Sequence, residues 1–344
     1  MTRPFRLLTW NVEWFDRLFD ARSEPAPTDD RSARYEVTKR RQLDAIAGVL
    51  AHVDADAALI VEAPDDSPSR STRLALERFA ERAGIRLSRA MIGFANGTRQ
   101  ELALMYDPAV VTPVHDPGDS PEAPRFDGPF GFDLDQDLRA ETLTWSKPPL
   151  ELTLDVAPGG RAHVLRLIGV HAKSKGLHGE TGAAALRTHI QNRRKQLAQC
   201  IWLRRRVDQR LAEADPSGDA RLIVAGDFND GPGLDAFEAL FGRSGVEIVL
   251  GDGHGALHDP HATTPRMGAA HPTTARFWDN QNKRWLNALL DFAMVSSDLR
   301  PACTWRILHP FDDPEAGREP TLRAALLDAS DHFPVILDID LSRI

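Results

Sequence analysis

The sequence contains short apolar runs of strand length that end abruptly in polar or charged side chains. The clearest is LIVAGDFN at 222–229, where an acid and an amide follow the run two positions apart. Side chains at alternate positions of an extended segment leave the same face, so Asp227 and Asn229 are predicted to point together at the strand end. Phe228 then turns back into the core. The chain is therefore predicted to contain buried strands with polar tips.

Several other segments have the same character. TWN at 9–11 closes the opening strand, AALIVE at 57–62 ends in a carboxylate, GVH at 169–171 ends another strand, LLDFAMVS at 289–296 contains Asp291, and SDHFPVILDID at 330–340 begins with polar residues. A charged Asp291 in an apolar strand is costly unless something pairs with it. Asp and Asn are also ordinary turn residues, so one such segment is a weak signal. Their accumulation in one chain indicates a polar site.

These segments, taken in order, resemble the endonuclease/exonuclease/phosphatase superfamily, which includes deoxyribonuclease-I-like enzymes, abasic-site endonucleases, inositol polyphosphate phosphatases and neutral sphingomyelinases. The resemblance spans nearly the whole chain. It rests on TWN (9–11), IVE (60–62), RQELALMYD (99–107), SKPPLELTL (146–154), GVHAKSK (169–175), GDFND (226–230), LLDFAMVS (289–296) and SDHFPV (330–335). It implies an α/β fold, a four-layer sandwich of two mixed β-sheets packed face to face and flanked by helices, with the active site at one end.

The resemblance also implies a metal site. Glu62 corresponds to the principal metal carboxylate, and Asn11 and Asp331 are expected near the same ion. Hard oxygen ligands of this kind suit Mg²⁺, with Mn²⁺ as a substitute. We therefore expect Mg²⁺ to be the cofactor.

Two histidines are implied as catalytic residues. His332 resembles the histidine of the last motif, and Asp291 resembles the aspartate that holds its imidazole by a hydrogen bond. That pairing would explain a buried aspartate in an apolar strand. His171 corresponds to a second histidine, and Glu101 occupies the place of the glutamate that orients it.

The remaining site residues concern water and substrate. Asp227 and Asn229 match the pair that contacts the attacking water and the phosphate, and we assign water activation jointly to Asp227 and His332. The substrate-binding residues implied by the resemblance are Lys147, Lys173, Ser174 and Asn287. Many relatives carry Arg shortly before the aspartate of LLDF, where this chain has Asn287, so Arg276, Lys283 and Arg284 are alternative phosphate contacts.

Such a site fits phosphodiester hydrolysis, because that transition state spreads negative charge over oxygens that a metal and fixed donors can stabilise. We expect a Mg²⁺-dependent phosphodiester hydrolase, and first a nuclease that cleaves DNA or RNA. The alternative is a phosphatase or phosphodiesterase acting on a small phosphorylated or lipid substrate. A catalytically silent binding domain is disfavoured because the set of site residues is intact.

The chain has 344 residues, and its motifs run from residue 9 to residue 335 without a linker. We therefore expect one large domain over 1–344 rather than two average ones. Cys200 and Cys303 are predicted in a helix and a strand, so a disulfide framework is not expected. No apolar stretch of about 18 or more residues occurs. A cytoplasmic protein without stable membrane insertion is expected.

Three amphipathic helices are predicted from apolar periodicity, over 36–53, 70–83 and roughly 183–213. In the first, Leu43, Ile46, Ala47, Leu50 and Val53 share one face. In the third, the predicted inward residues are Leu186, Ile190, Leu197, Ile201 and Leu211.

Charge is distributed unevenly along a chain whose net charge is −8. Residues 187–213 carry eight Lys/Arg against two acids, a local net of +6, whereas 112–141 carries eight acids against two arginines, a local net of −6, with five prolines and three glycines. We interpret 112–141 as an acidic surface insertion. For the basic helix over 187–213, three interpretations remain open. Its arginines contact a nucleic-acid backbone, form a solvated face, or pair with the acidic 112–141 segment.

Overall fold

Two large mixed sheets form the centre of the computed structural model, which describes residues 3–132, 141–157, 160, 162–176, 182–215, 217–232, 242–262, 272–279 and 283–344. The first sheet has the order β14 (Cys303–Ile307), β15 (Val335–Ile339), β1 (Phe5–Asn11), β2 (Ala57–Ala63), β4 (Glu101–Tyr106), β3 (Arg89–Ile92). The second has the order β13 (Asp291–Val295), β10 (Leu222–Asp227), β9 (His163–His171), β8 (Leu150–Val156), β5 (Val111–His115). Two hairpins complete the strands, β6 (Phe130–Phe132) with β7 (Glu141–Leu143) and β11 (Ala275–Asp279) with β12 (Arg284–Ala288).

The sheets pack face to face through a shared apolar core. Leu7 and Leu59 of the first sheet belong to the same buried cluster as Leu152, Leu167 and Ile223 of the second. Strand side chains alternate between faces, so the residues next to them in sequence point outward toward helices. Strands buried on both faces need apolar residues at nearly every position, which explains the continuous runs in the sequence.

Helices cover the outer face of each sheet. In the described ranges the helices are α1 (Lys39–Val53), α2 (Thr72–Ala83), α3 (Gly182–Ala212), α4 (Gly245–Leu250), α5 (Pro314–Arg318) and α6 (Pro320–Ala329), and short 3₁₀ turns lie at Phe15–Leu18, Gly253–Gly255, Arg300–Ala302 and Leu341–Arg343. Residues of α1, α2 and α6 form a core with the outer face of the first sheet, and α3 and α4 do the same for the second. The predicted four-layer sandwich is confirmed.

The first two helices begin and end as their sequences indicate. The Thr38 side chain accepts a hydrogen bond from the backbone N–H of Arg41 at the start of α1, and Ser71 caps α2 in the same way through Leu74. Such caps satisfy N–H groups that lack a partner within the helix. Gly84 ends α2 in the left-handed conformation that glycine adopts without strain.

Helix α3 buries a different face from the one predicted. Leu197 is buried, but Leu186 is 49% exposed, and Ile190, Ile201 and Leu211 are only half-buried. The face that packs on the sheet also contains polar side chains; it consists of Arg193, Gln196, Leu197, Cys200, Leu203, Arg206, Val207 and Arg210. A search for apolar periodicity misses this face because arginines and glutamine interrupt the apolar stripe.

A buried ion pair fixes α3 to the second sheet. Arg206 is fully buried and donates to both carboxylate oxygens of Glu151 on β8, at 2.8 and 2.9 Å. Its second terminal nitrogen donates to the carbonyl oxygens of Ala123 and Pro124, at 2.6 and 3.0 Å. These partners compensate both terminal nitrogens of a charge that is removed from water.

The described part of the acidic segment packs on α3 rather than standing in solvent. Phe126 and Phe130 are buried against Trp202. Arg205 lies over the ring of Phe130, and Arg194 pairs with Glu141 at 3.0 Å. Of the three interpretations of the basic helix, pairing with the 112–141 segment therefore applies to these arginines. Residues 133–140 lie outside the described residues.

Membrane insertion was not expected from the sequence. Within the described ranges, no helix combines the length and the apolar character needed to cross a bilayer.

The buried ion pair gives the first testable expectation. Glu151→Gln removes the charge that compensates Arg206, so the free energy of unfolding should fall by about 3–5 kcal/mol. The measurement is urea denaturation at neutral pH, with Glu36→Gln as a control because Glu36 is exposed. A loss below about 1 kcal/mol, the scale of a surface pair, would contradict this role.

Candidate active site

Three polar side chains lie in one row where strands β9 and β10 end and β13 begins. Strand β10 runs parallel to β9 and antiparallel to β13, with Asp227 opposite His171 on one side and Asp291 on the other. The residue before Asp227 is Gly226, at φ 135°, and a Cβ there would lie 2.0 Å from the carbonyl oxygen of Val170. Glycine is therefore required for the strands to approach closely at this row.

The first sheet adds polar residues from its own strand ends. Strands β1 and β2 are parallel, so Asn11 and Glu62 emerge at the same edge. The amide nitrogen of Asn11 donates to Asp227 Oδ2 at 3.0 Å and thereby joins the two sheets. Glu62 lies at a β-bulge and has a left-handed backbone, φ 62°, which turns its side chain out of the strand's alternation.

His332 pairs with Asp291 inside the protein. The distance from His332 Nδ1 to Asp291 Oδ2 is 2.7 Å, and both residues are buried. Burial opposes a charge on the ring, but the ion pair and hydrogen bond with Asp291, together with nearby Asp227 and Asp331, raise the pKa of His332 well above its ordinary value. The pair with Asp291 therefore favours the protonated imidazole.

The backbone around His332 is fixed by the first strand. The hydroxyl of Ser330 accepts from the His332 N–H at 3.1 Å and donates to the carbonyl oxygen of Asn11 at 2.8 Å. The indole of Trp10 donates to the carbonyl oxygen of His332 at 2.9 Å. The loop before β15 is consequently attached to the end of β1.

Asp227 is fully enclosed by polar partners. Burial and the charge of Asp291 raise its pKa, while His332 and hydrogen bonds from Asn229 and Asn11 oppose that shift. Asn229 donates through its amide nitrogen to Asp227 Oδ2 and to the carbonyl oxygen of Ala172, both at 3.1 Å. A carboxamide has two N–H donors, and these two contacts occupy both of those of Asn229. Asn229 therefore positions Asp227 and has no side-chain N–H left for a phosphate.

His171 and Lys147 form a second contact in the cluster. Lys147 Nζ lies 3.1 Å from His171 Nε2, and Asp227 Oδ2 lies 3.7 Å from the same nitrogen. Burial, Lys147 and His332 lower the pKa of His171 well below its ordinary value, so this ring is neutral and accepts from the ammonium group. Lys147 was predicted to bind substrate, and the structure brings it into the centre of the site.

The expected contact between Glu101 and His171 is corrected. Glu101 is buried, but its carboxylate accepts from the side-chain nitrogen of Asn96 at 2.6 Å and from the Asn96 backbone N–H at 3.3 Å. Burial raises the pKa of Glu101 to about 7. Among the described residues, His171 Nδ1 has no hydrogen-bond partner. The reason is that the 96–100 turn captures Glu101 locally.

Oxygen donors suited to a hard cation gather around Glu62. Burial raises the pKa of Glu62, and Asp331 raises it further, while Lys147 opposes the shift. Burial and Asp331 raise the pKa of Glu13 in the same way, to about 7. The buried Asn11 Oδ1 has no hydrogen-bond partner among the described residues. Clustered carboxylates with an orphaned amide oxygen are the donor set that a divalent cation prefers, so these residues fit the expected metal.

A second group of potential ligand atoms is less suitable. Asp227, Asp291 and His332 offer atoms that lie within 4.8 Å of one another. However, the His332 ring nitrogen that faces Asp291 is already engaged at 2.7 Å, and Asp227 Oδ2 already accepts from Asn11 and Asn229. The Glu62 side of the site is therefore the better cation site.

The other predicted substrate residues lie farther from the cluster. Lys173 is half-buried, and its backbone N–H donates to Gln199 on α3. Ser174 is exposed, and its hydroxyl accepts from the Gly176 N–H at 3.2 Å. Asn287 is exposed on β12, opposite Arg276 on β11. Within the part of the chain that the structure describes, no hydrogen bond or salt bridge joins these three side chains to the central cluster, although the charge of Lys173 helps to lower the pKa of Lys147.

Some residues at the site escaped the sequence reasoning. Glu13 lies two positions after Asn11, so the alternation rule applied to TWNVE would have found it. Gln196 on α3 donates to the carbonyl oxygens of Phe228 and Asn229, at 3.0 and 2.9 Å, and so holds the turn after Asp227. No local sequence signal marks that glutamine.

An exposed hairpin borders the cluster. Strand β11 pairs with the 331–333 segment: the Arg276 N–H donates to the carbonyl oxygen of Asp331 at 2.7 Å, and Ala275 bridges His332. Trp278 and Trp285 are 44% and 53% exposed, with ring centroids 5.5 Å apart. The guanidinium of Arg276 lies 4.9 Å from the Trp285 ring centroid. This hairpin is a cationic and aromatic surface anchored beside His332.

Solved structures of similar fold include SmcL, at 13% identity and a TM-score of 0.51, with 98% of this chain and 99% of that chain covered. Beta toxin from Staphylococcus aureus aligns at 13% identity and a TM-score of 0.49, covering 98% and 100%. D. rerio TDP2 complexed with a single-strand DNA product aligns at 15% identity and a TM-score of 0.45, covering 97% and 98%. At such low identity these likenesses concern the fold alone.

Sequence comparison gives the family. No curated protein matches the chain. The profile of the Endonuclease/Exonuclease/phosphatase family matches residues 8–332, which is nearly the whole chain and includes every strand end described above. The protein therefore belongs to the endonuclease/exonuclease/phosphatase family of divalent-metal-dependent phosphoesterases.

Proposed function

We propose that this protein is a Mg²⁺-dependent phosphodiester hydrolase and that its substrate is a nucleic acid. The observation that carries the hydrolase proposal is the buried His332–Asp291 pair beside Asp227, with oxygen donors around Glu62 next to it. A protonated donor, a carboxylate acceptor and a cation site are the parts that hydrolysis of a phosphodiester by water requires.

The roles of the two acid–base groups follow from their partners. We expected His332 to share water activation with Asp227, but its pair with Asp291 favours the charged imidazole, so we assign it instead as a donor from its other ring nitrogen to a phosphate oxygen. Asp227 would accept the proton of the attacking water, since it lies between His171 and Asp291 in the strand row and burial and Asp291 raise its pKa to about 7. Asn229 and Asn11 hold Asp227 in place.

Glu62, Asn11 and Asp331 would hold Mg²⁺, or Mn²⁺ as a substitute. When bound, such an ion neutralises charge on the phosphate oxygens. Lys147 contributes a positive charge that interacts with Glu62 and Asp227, and burial lowers its pKa. Its contact with neutral His171 aims that charge into the site.

The hairpin supports nucleic acid as the substrate. Exposed indole rings stack on bases of any sequence, and arginine and lysine attract phosphates. Trp278, Trp285 and Arg276 offer both kinds of contact directly beside His332. A small phosphoester would reach the central cluster without using them. A panel of plasmid, single-stranded DNA, RNA, inositol phosphates and sphingomyelin, each with Mg²⁺, tests this choice directly.

We also infer one functional domain over 1–344 in a reducing, cytoplasmic compartment. The site draws side chains from both sheets, which supports a single domain. Cys200 and Cys303 are both free, which supports a reducing environment.

The metal site gives one prediction. Glu62→Gln keeps the volume of the side chain but removes the negative charge that would bind Mg²⁺, so turnover should fall by orders of magnitude. The protein should stay folded, because burial disfavours that charge in any case. The measurements are kcat across a Mg²⁺ titration and the thermal midpoint, with Glu319→Gln as the exposed control. Near-normal turnover at limiting Mg²⁺ would rule out Glu62 as the principal ligand.

The ion pair gives another prediction. His332→Ala should lower kcat by more than about 100-fold, the scale of a positioned proton donor. Asp291→Asn should lower it less, because the ring remains. In Asp291→Asn the pKa of His332, followed by NMR of the imidazole, should fall, since the charge that raises it is gone. An unchanged His332 pKa would mean that Asp291 has only a structural role.

The hairpin gives a third prediction. Trp278→Ala and Trp285→Ala should each weaken binding of a single-stranded oligonucleotide by about 5- to 150-fold, which corresponds to about 1–3 kcal/mol per stacked base. Hydrolysis of bis(4-nitrophenyl) phosphate, which is too small to reach both rings, should change much less. Val114→Ala, an exposed apolar position on β5, is the control. Equal losses on both substrates would indicate misfolding of the hairpin instead.

A further inference from the structure

A cavity of about 350 Å³ lies between the 3₁₀ turn at 15–18 and the loop that precedes α1. We call it the basic pocket, because Arg17, Arg31, Lys39 and Arg70 line it together with the single acid Asp16; the other lining residues are Phe19, Ser32 and Ala33. Its volume falls within the range of sites for small ligands. None of its cations belongs to the catalytic cluster.

Three of the four cationic side chains in the basic pocket have no carboxylate partner among the described residues. Arg70 is committed, since it pairs with Asp65 at 2.5 Å and donates to the carbonyl oxygen of Asp16 at 2.7 Å. Among the described residues, no carboxylate oxygen lies within 4.0 Å of a side-chain nitrogen of Arg17, Arg31 or Lys39. This differs from α3, where the arginines that contact the sheet have carboxylate or carbonyl partners. Clustered cations that the protein itself does not neutralise attract anions.

The basic pocket adjoins the Glu62 side of the active site. The Arg17 guanidinium lies 4.2 Å from the Trp14 ring centroid, and the Trp14 N–H donates to Glu62 Oε2 at 3.2 Å. On the other wall, Arg34 follows the lining residues Ser32 and Ala33 and pairs with Glu13 at 2.7 Å. Two short chains of contacts therefore connect the pocket to Glu62, a proposed metal ligand, and to Glu13 beside it.

We propose that the basic pocket binds a second phosphate of the substrate, separate from the phosphate that is cleaved. This inference rests on the proposed function, because a substrate with several phosphates is what a nucleic acid provides. Guanidinium groups bind phosphate oxygens through paired hydrogen bonds, and lysine adds a mobile charge. The ligand class is a phosphate monoester or a backbone phosphodiester.

The first experiment measures binding of inorganic phosphate by calorimetry, with a chelator present so that no metal contributes. The test variant is Arg31→Gln combined with Lys39→Gln, and the control is Arg300→Gln, an exposed arginine at the other end of β13. Thermal midpoints confirm that each variant is folded. The control should bind phosphate like the wild type, and the double variant should bind one phosphate at least about tenfold more weakly than the wild type does, as expected for the loss of two charged contacts. Absent or unchanged binding overturns the proposal.

The second experiment compares kcat/KM for an oligonucleotide with kcat/KM for bis(4-nitrophenyl) phosphate, which has one phosphate. The ratio should fall about tenfold or more in the double variant and stay constant in Arg300→Gln. If phosphate binding is lost but the ratio is constant, the pocket holds only an adventitious ion and the proposal fails. If phosphate binds as expected but the wild type cleaves no nucleic acid, the substrate part of the proposed function fails. The same comparison of kcat/KM is then made with a small substrate that has two phosphates in place of the oligonucleotide. A tenfold lower ratio in the double variant supports the pocket, and a constant ratio overturns it.

Discussion

Two buried carboxylates, Asp227 and Asp291, face each other across neighbouring strands, and the whole site depends on the one imidazole that compensates them. Like charges placed side by side away from water are strongly destabilising unless a cation is near. His332 supplies that cation, but it comes from the loop before β15, in the other sheet. The two sheets must therefore pack together before the charges are satisfied. The geometry of the site therefore forms only when the two sheets of the sandwich have packed together.

The sequence predicts this part of the site well because its signals are local. Alternation along a buried strand fixes which side chains leave at the tip, and Asp227 and Asp291 each stand at such a tip. The family resemblance adds the order of the strands. Glu101 shows where this reasoning ends. It was expected to orient His171, yet its partner is Asn96, five residues away, and no pattern encodes which way a carboxylate turns.

Helix α3 was the least predictable element, because its buried face is built from charged residues. Asp230 accepts from Lys175 and Arg193, both at 2.6 Å, and from the Gly245 N–H, also at 2.6 Å. Together with Gln196, these contacts fix the turn that follows Asp227. Charge in sequence suggests solvent, whereas here it supports the catalytic loop through hydrogen bonds that an apolar face could not make. Only the three-dimensional partners distinguish the two cases.

Substrate choice in such a protein has to come from outside the cluster. The residues that act on the phosphodiester would serve any phosphoester equally, since they contact only the atoms that react. Two surfaces differ from this common centre: the Trp278–Trp285 hairpin anchored beside His332, and the basic pocket connected to Glu62 through Trp14. If the proposals above hold, a polymer of bases and phosphates engages both surfaces, whereas an ester with a single phosphate engages neither. Binding energy from those remote contacts would then orient a long substrate at the centre, and the periphery, rather than the central residues, would decide what is cleaved.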